Sequence, residues 1–352
     1  MDAVRRAFLE SLLSAPSPSG YEQPIQLVWR DYAATFADAV STDAHGNAIA
    51  VRNPAGAPRL MFAGHCDELG FQVLYINDQG FVYFGTIGGH DANLIPGRRV
   101  IVHGGRGPVR GVTGKKAVHL MEADERDKAV KVKDVWIDIG VRSRREAERL
   151  IRVGDPVTYD TAMQDLRRGI AVSRAFDNKI GAWIVAEGLR RIRPRRLKAA
   201  VHAVSTVQEE IGLRGAHTSA YGIDPAVAVA VDVTHATDHP NVSKTTAGDI
   251  RLGKGAVITR GPNINPVVER LLFEVAVERK IPHQVEAEPR GTGTDANAIQ
   301  LARAGVATGL VSVPLRYMHT PSEVIALEDA EAAADLLAAF AETLTPSTDF
   351  TP

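Results

Sequence analysis

The sequence predicts an α/β fold: a mixed, mostly parallel sheet flanked by helices and interrupted by a small β-barrel-like segment. Three observations predict it. Apolar runs, "KAAVHAVST", "PAVAVAVDV" and "GLVSVPL", have the texture of strands buried on both faces. Helix-period segments such as "NKIGAWIVAEGLRRI" and "NPVVERLLFEVAVERK" lie between them. From about Phe71 to Tyr159 the texture changes to short, closely spaced strands around glycines, the pattern of a small barrel.

At the N-terminus, Val4, Phe8, Leu9 and Leu12 mark one face of an amphipathic helix. Ile25, Val28, Trp29, Tyr32 and Phe36 mark a second. "NAIAVRN" and "RLMFAGH" read as strands. In the middle segment, "FQVLYINDQGFVYFGTIGG" alternates and breaks at Asp78-Gln79-Gly80, a hairpin signal. "RRVIVHGGRGPVRGVTG" is a second strand pair, "EADERDKAVKVKD" a charged surface loop, "VKDVWIDIG" a strand, "SRREAERLI" a helix and "VGDPVTYD" a turn and strand. After about Thr161 the α/β rhythm returns, with "DANAIQLARAG" and the Ala-rich "ALEDAEAAADLLAAFAETL" as further helices. The expected division is 1–70 plus 162–352 for a discontinuous α/β domain and 71–161 for the insertion.

Composition narrows the function class. The 352 residues are 45% hydrophobic and 24% charged, with a net charge of −1, so no basic footprint argues for nucleic acid. The basic cluster Arg190 to Lys198 reads as a solvated helix end. The lone cysteine, Cys66, forms no intrachain disulfide and suits a reducing compartment. The first residues lack the continuous apolar core of a signal peptide. No apolar stretch reaches the roughly 18–20 residues that span a bilayer. A cytoplasmic protein is expected.

Potential metal ligands end several of the predicted strands. "RLMFAGHCD" ends at His65 and Asp67, "AVHAVSTVQEE" at Glu209 and Glu210, and "AVAVAVD" at Asp232. "GLVSVPLRYMHT" runs out to His319, and Asp177 in "SRAFDNKIGAW" stands just before a helix. Each has a structural reading by itself: Asp177 as an N-cap, Asp232 as a turn residue, His65 as a satisfied core histidine, His319 as a loop residue. Those readings do not explain why all fall at one end of the same sheet, where open α/β folds build their sites. Carboxylates gathered there need neutralising, and a mixed oxygen and nitrogen set suits zinc, cobalt or manganese. Five ligands fit two metals better than one, and a shared carboxylate would hold the pair roughly 3.5–4 Å apart.

The motifs "SPSGYE", "GHCDELGF", "IGGHDANLIPGRRV", "AFDNKIGAWI", "VQEEIGLRGA", "VAVDVTHATD" and "GTGTDANAIQLARAGVATGLVSVPLRYMHTPSEV" run in order over nearly the whole chain. With "WIDIGVRSRREAERL" and "VGDPVTYD" in the insertion, the sequence resembles metallopeptidase family 42, the glutamyl and tetrahedral (TET) aminopeptidases. The resemblance implies a zinc-peptidase/phosphorylase-hydrolase-like fold and two divalent metal ions, Zn2+ or Co2+, with Mn2+ a further option. It implies that Asp177 bridges the metals, that His65 and Asp232 complete one, and that Glu210 and His319 complete the other. Glu209 would be the general base and Asp67 would orient His65. It also implies short peptide substrates, dimers made through the insertion, and a tetrahedral dodecamer. Some relatives carry an endoglucanase label; glycoside hydrolysis needs flanking carboxylates without metals, and the ligand-like histidines oppose it. A deacylase acting on a non-peptide amide is the nearer alternative. Departures are Gly-Gly-His at His90, where relatives more often have Gly-Gly-Trp, and Cys66 at a variable position.

The segment "EPRGTGTDANAI" carries Arg290, Thr292, Thr294 and Asp295. It reads equally as a lining for the substrate's first side chain and as a Gly-rich turn capping the next helix at Asp295.

Overall fold

The computed structural model describes residues Met1–Pro352. The chain opens with helices α1 (Ala3–Ser14) and α2 (Gln23–Ala33) and strands β1 (Ala39–Thr42), β2 (Ala48–Arg52) and β3 (Arg59–His65). Six strands follow: β4 (Gly70–Ile76), β5 (Val82–Ile87), β6 (Arg99–Gly104), β7 (Gly107–Gly114), β8 (Trp136–Asp138) and β9 (Pro156–Tyr159). Short helices α3 (Ala123–Arg126) and α4 (Arg144–Ala147) interrupt them. Next come β10 (Gln164–Asp165), β11 (Ile170–Ser173), α5 (Phe176–Arg191), β12 (Ala200–Thr206), α6 (Arg214–Ile223), β13 (Val227–His235) and α7 (Lys244–Ala247). The chain closes with β14 (Ala256–Arg260), α8 (Pro266–Arg279), β15 (His283–Ala287), α9 (Asp295–Ile299), β16 (Ala307–Leu315), β17 (Glu323–Ala326) and α10 (Leu327–Thr343).

The main sheet has the order β1-β2-β12-β3-β13-β16-β14-β15. Its centre is parallel: β12 on β3, β3 on β13, and β13 on β16. The outer β1–β2, β2–β12 and β16–β14 pairings are antiparallel. Helices cover both faces, which is why the central strands read as unbroken apolar runs. Side chains alternate across the sheet. Leu60, Phe62, Val229 and Val231 join one core with α1, α2, α5, α8 and α10. Met61, Ala63, Ala228 and Ala230 join the opposite core with α6 and α9. Each buried Leu, Val, Phe or Met among these contributes roughly 1.5–3 kcal/mol on burial.

Strands β4 to β9 close an antiparallel barrel in the order β4-β5-β8-β7-β6-β9. Phe71, Val73, Val82, Phe84, Val100, Val102, Ile137 and Val157 fill its interior. A third sheet, β10-β11-β17, lies beside α5. No helix is long and apolar enough to cross a membrane.

Several elements differ from the sequence reading. Val4 is exposed while Leu13 is buried, so the apolar face of α1 is rotated slightly. The predicted helices "SRREAERLI" and "DANAIQLARAG" form only four and five helical residues, α4 and α9, before breaking into turns. The charged run "EADERDKAVKVKD" holds α3 and a turn of 3-10 helix. Strands β14 and β15 lie outside the strands expected from the sequence; β15, "HQVEA", is half polar.

Candidate metal centre

Strands β12, β3, β13 and β16 are mutually parallel neighbours, so their C-terminal ends share one edge of the sheet. His65 ends β3, Glu209 and Glu210 follow β12, Asp232 lies near the end of β13, and His319 follows β16. Asp177 enters from the first turn of α5, which packs against β3. That packing is close because both chains lack side chains there. A Cβ on Gly64 would lie 2.6 Å from the carbonyl carbon of Gly181.

Asp177 does not cap its helix. The cap is supplied by Asn178, whose Oδ1 accepts the Gly181 N–H at 2.9 Å and whose Nδ2 donates to the Val231 carbonyl at 2.8 Å. The Asp177 carboxylate is thereby left facing the site. Its Oδ1 lies 3.4 Å from His65 Nε2 and its Oδ2 lies 3.3 Å from His319 Nε2. Glu210 Oε2 is 3.7 Å from His319 Nε2. Asp232 Oδ1 is 3.9 Å and Glu209 Oε2 is 3.7 Å from His65 Nε2. Ligand atoms of His65, Glu209 and Asp232 lie within 4.8 Å of one another, as do those of His65, Asp177 and Glu210. Both acids of the Glu-Glu pair therefore reach the cluster, and distance alone does not divide their roles.

Asp67 stands behind the cluster. Its Oδ1 accepts the Glu209 N–H at 3.0 Å; its Oδ2 accepts the Glu210 N–H at 3.2 Å and the Ser19 hydroxyl at 2.7 Å. His65 turns Nδ1 toward the Asp67 carbonyl at 3.2 Å, leaving Nε2 toward the other acids. Two residues with left-handed backbone, Gln208 and His319, hold the turns next to the ligands. Such conformations cost on the order of 1 kcal/mol and persist where surrounding contacts compensate. The Gln208 N–H donates to buried Glu22, and the His319 N–H to buried Glu323.

The electrostatics call for a cation. Burial, reinforced by Asp232, Asp295 and Asp67 against the pull of His65, pushes the Glu209 carboxyl up to about 9. Burial and the Asp177 charge raise Glu210 well above the carboxylate range, and burial raises Asp232 likewise. The histidines are raised too: His65, against its burial, by Glu209, Asp177 and Asp67, and His319 by Asp177. No lysine or arginine pairs with any of the four facing carboxylates. Glu210 Oε1 is buried with no hydrogen-bond partner. An unpaired carboxylate oxygen inside a carboxylate–imidazole cluster has the chemistry of a divalent-metal site.

The structure thus brings His65, Asp67, Asp177, Glu209, Glu210, Asp232 and His319 together. Of Arg290, Thr292, Thr294 and Asp295, it is Asp295 that is tied to this edge: its Oδ2 accepts the Thr206 hydroxyl at 2.5 Å at the end of β12. Thr294, not Asp295, occupies the N-cap position of α9, so the capping alternative for Asp295 is not realised. Thr292 and Thr294 bond to each other, and Thr292 to Asn263. Arg290 is exposed. His90 is structural: Nε2 lies 2.9 Å from the Gly70 carbonyl and the ring stacks on Phe71. The sequence reading gave no role to Ser19, Glu22, Asn178 or Glu323, although "SPSGYE", "DNK" and "HTPSE" contained the signal.

A small cavity beside Asp177 and His319 is lined by Glu68, Leu69, Tyr159, Arg174 and Glu323. Buried Glu68 pairs there with Lys179 at 2.7 Å and with Arg174. The two cations together hold its carboxyl down to about 2 against burial. Burial and the neighbouring Arg174 charge pull Lys179 down to about 8, against the Glu68 carboxylate. The two shifts point in opposite senses for the pair. The carboxylate faces two cations while Lys179 shares one carboxylate, so near neutral pH the Glu68–Lys179 pair is charged.

The sequence pattern of the M42 glutamyl aminopeptidase family matches residues 46–336. A lysyl aminopeptidase of Pyrococcus furiosus is 35% identical over 347 residues, 98% of each chain. A TET aminopeptidase from the marine sediment archaeon Thaumarchaeota archaeon SCGC AB-539-E09 superposes with a TM-score of 0.93 at 33% identity, covering 97% of both chains. The TET1 peptidase of Pyrococcus horikoshii, which can assemble into a tetrahedron or a large octahedral shell, superposes at 0.86 with 29% identity, covering 97% of this chain and 100% of that one. The chain belongs to the M42 glutamyl aminopeptidase family and is a hydrolase of the aminopeptidase class.

Proposed function

We propose that the protein is a dinuclear metal-dependent aminopeptidase that removes N-terminal residues from short peptides. One observation carries the reading: the two oxygens of Asp177 face two different histidines, His65 at 3.4 Å and His319 at 3.3 Å. That is the disposition of a carboxylate shared between two cations.

In this reading Asp177 bridges, His65 and Asp232 hold one ion, and Glu210 and His319 hold the other. Zn2+, Co2+ or Mn2+ in these positions would activate a water and polarise the scissile carbonyl. Glu209 accepts the proton of the attacking water on its carboxylate and passes it to the leaving amine. Its Oε2 stands 3.7 Å from His65 Nε2, at the edge of the ligand set, where such a proton would be taken up. Asp67 holds His65 Nδ1 and both Glu209 and Glu210 main-chain N–H groups, keeping the adjacent acids apart in direction. A metal and the nearby acids would hold the free α-amine of a peptide, which favours exo-cleavage. A cytoplasmic location fits the single buried Cys66.

Residues 71–161 act as a dimerisation domain in this reading, and the dimers build a tetrahedral dodecamer. Leu74, Tyr75, Val112, Leu120 and Val153 are exposed apolar side chains of this region, the kind of surface an interface covers. Gel filtration would check it: a stable monomer rejects the assembly.

The activity is tested on aminoacyl p-nitroanilides with chelator-stripped protein reconstituted with each metal. Turnover is expected only after metal is restored. Full activity in stripped protein would reject the metal mechanism, and no turnover under any metal would favour a binding protein.

A further inference from the structure

Glu323 is a buried polar residue whose contacts the reaction above leaves unused. It opens β17 and is 3% exposed. Its two oxygens are divided between two backbone donors. Oε2 accepts the N–H of Asp177 at 3.0 Å, and Oε1 accepts the N–H of His319 at 3.0 Å. Those donors belong to the carboxylate that faces both histidines and to one of the histidines, 142 residues apart in the chain (319 − 177). Asp177 is non-helical at the mouth of α5, with φ −79° and ψ 103°, and His319 has φ +62°. Neither backbone is held there by a helix or strand ladder. β17 is itself anchored by its pairing with β11, Ser173 opposite Glu323.

We propose that Glu323 is a positioning residue for the metal centre: a single carboxylate clamps the main chain at Asp177 to that at His319 and sets the separation of these two ligands. The inference rests on the dinuclear reading above. Glutamine cannot replace it, because one of its two terminal atoms is an NH2 donor that would confront an N–H. Aspartate, one methylene shorter, reaches one donor at a time.

The test is titration of chelator-stripped protein with Co2+ alone, followed by calorimetry and by visible absorption, which reports cobalt geometry. Wild type is expected to take two Co2+. Glu323→Gln should weaken Co2+ binding about 10- to 100-fold, as loss of a ligand-orienting partner does, with an altered cobalt spectrum. Its turnover should recover in part at saturating Co2+. Glu323→Asp should fall between. Ser322→Ala, an exposed neighbour in the same loop, should match wild type. Native Co2+ affinity and spectrum in both Glu323 variants, with wild type binding and cleaving, would overturn this inference alone. A wild type that binds no Co2+ would sink the dinuclear reading with it. If Glu323→Gln does not fold, Glu323→Asp carries the test; if neither stripped variant folds, Glu323 serves the fold, and the inference is overturned.

Discussion

Asp67 Oδ1 accepts the backbone N–H of Glu209 at 3.0 Å, tying the loop after β3 to the loop after β12. The contact crosses 142 residues of sequence and joins the two strand ends that carry His65 and the Glu-Glu pair. Asp67→Asn keeps one acceptor oxygen and turns the other into a donor facing N–H and O–H groups. Metal affinity should fall about 10- to 100-fold with the fold retained. Calorimetric metal titration and circular dichroism check both halves.

Glu209→Gln removes the proposed proton acceptor without changing side-chain shape. kcat is expected to fall by roughly 10²- to 10⁴-fold, with metal content near wild type by elemental analysis. Near-native turnover would assign the proton transfer elsewhere; loss of metal would make Glu209 a ligand.

Gly64→Ala places a methyl group 2.6 Å from the Gly181 backbone, which has no flexible end to move aside. Overpacking of this kind costs about 1–3 kcal/mol. Because Gly64 precedes His65, metal affinity should drop together with the urea midpoint. An unchanged midpoint would show that β3 and α5 can separate freely.

The Glu68–Arg174–Lys179 cluster predicts acid sensitivity. The folded Glu68 carboxyl lies at about 2, below its ordinary 4.5, so its stabilisation is fully present above pH 4.5 and is lost as pH falls toward 2. Glu68→Gln leaves two buried cations without their carboxylate and should cost roughly 3–5 kcal/mol near neutrality. It should also flatten the stability curve between pH 4.5 and 2. Denaturant melts at stepped pH measure this, and a variant with the wild-type slope would rule out Glu68 as the source.

Much of this was legible in the chain. Unbroken apolar runs announced β12, β13 and β16 because helices cover both faces of the sheet, and burial leaves a local mark on composition. Glycine-punctuated alternation announced the barrel because its strands bury only one face. Ligand-type residues at strand ends marked one edge as chemical. β15 escaped because a half-polar strand lacks that mark.

Which acids meet which histidines was decided only in three dimensions. Asp177 and Asp295 both read alone as helix caps; the fold gives the first cap to Asn178, puts Thr294 at the N-cap position of α9, and turns both carboxylates inward. Glu323 has no assigned role in the sequence, yet its oxygens hold two main-chain groups that meet only when β17 lies beside α5. Periodicity is set by neighbours a few residues away, so a sequence displays it directly. Convergence depends on strand order and on close packing such as Gly64 against Gly181, and these are relations between distant segments that exist only once the chain has folded.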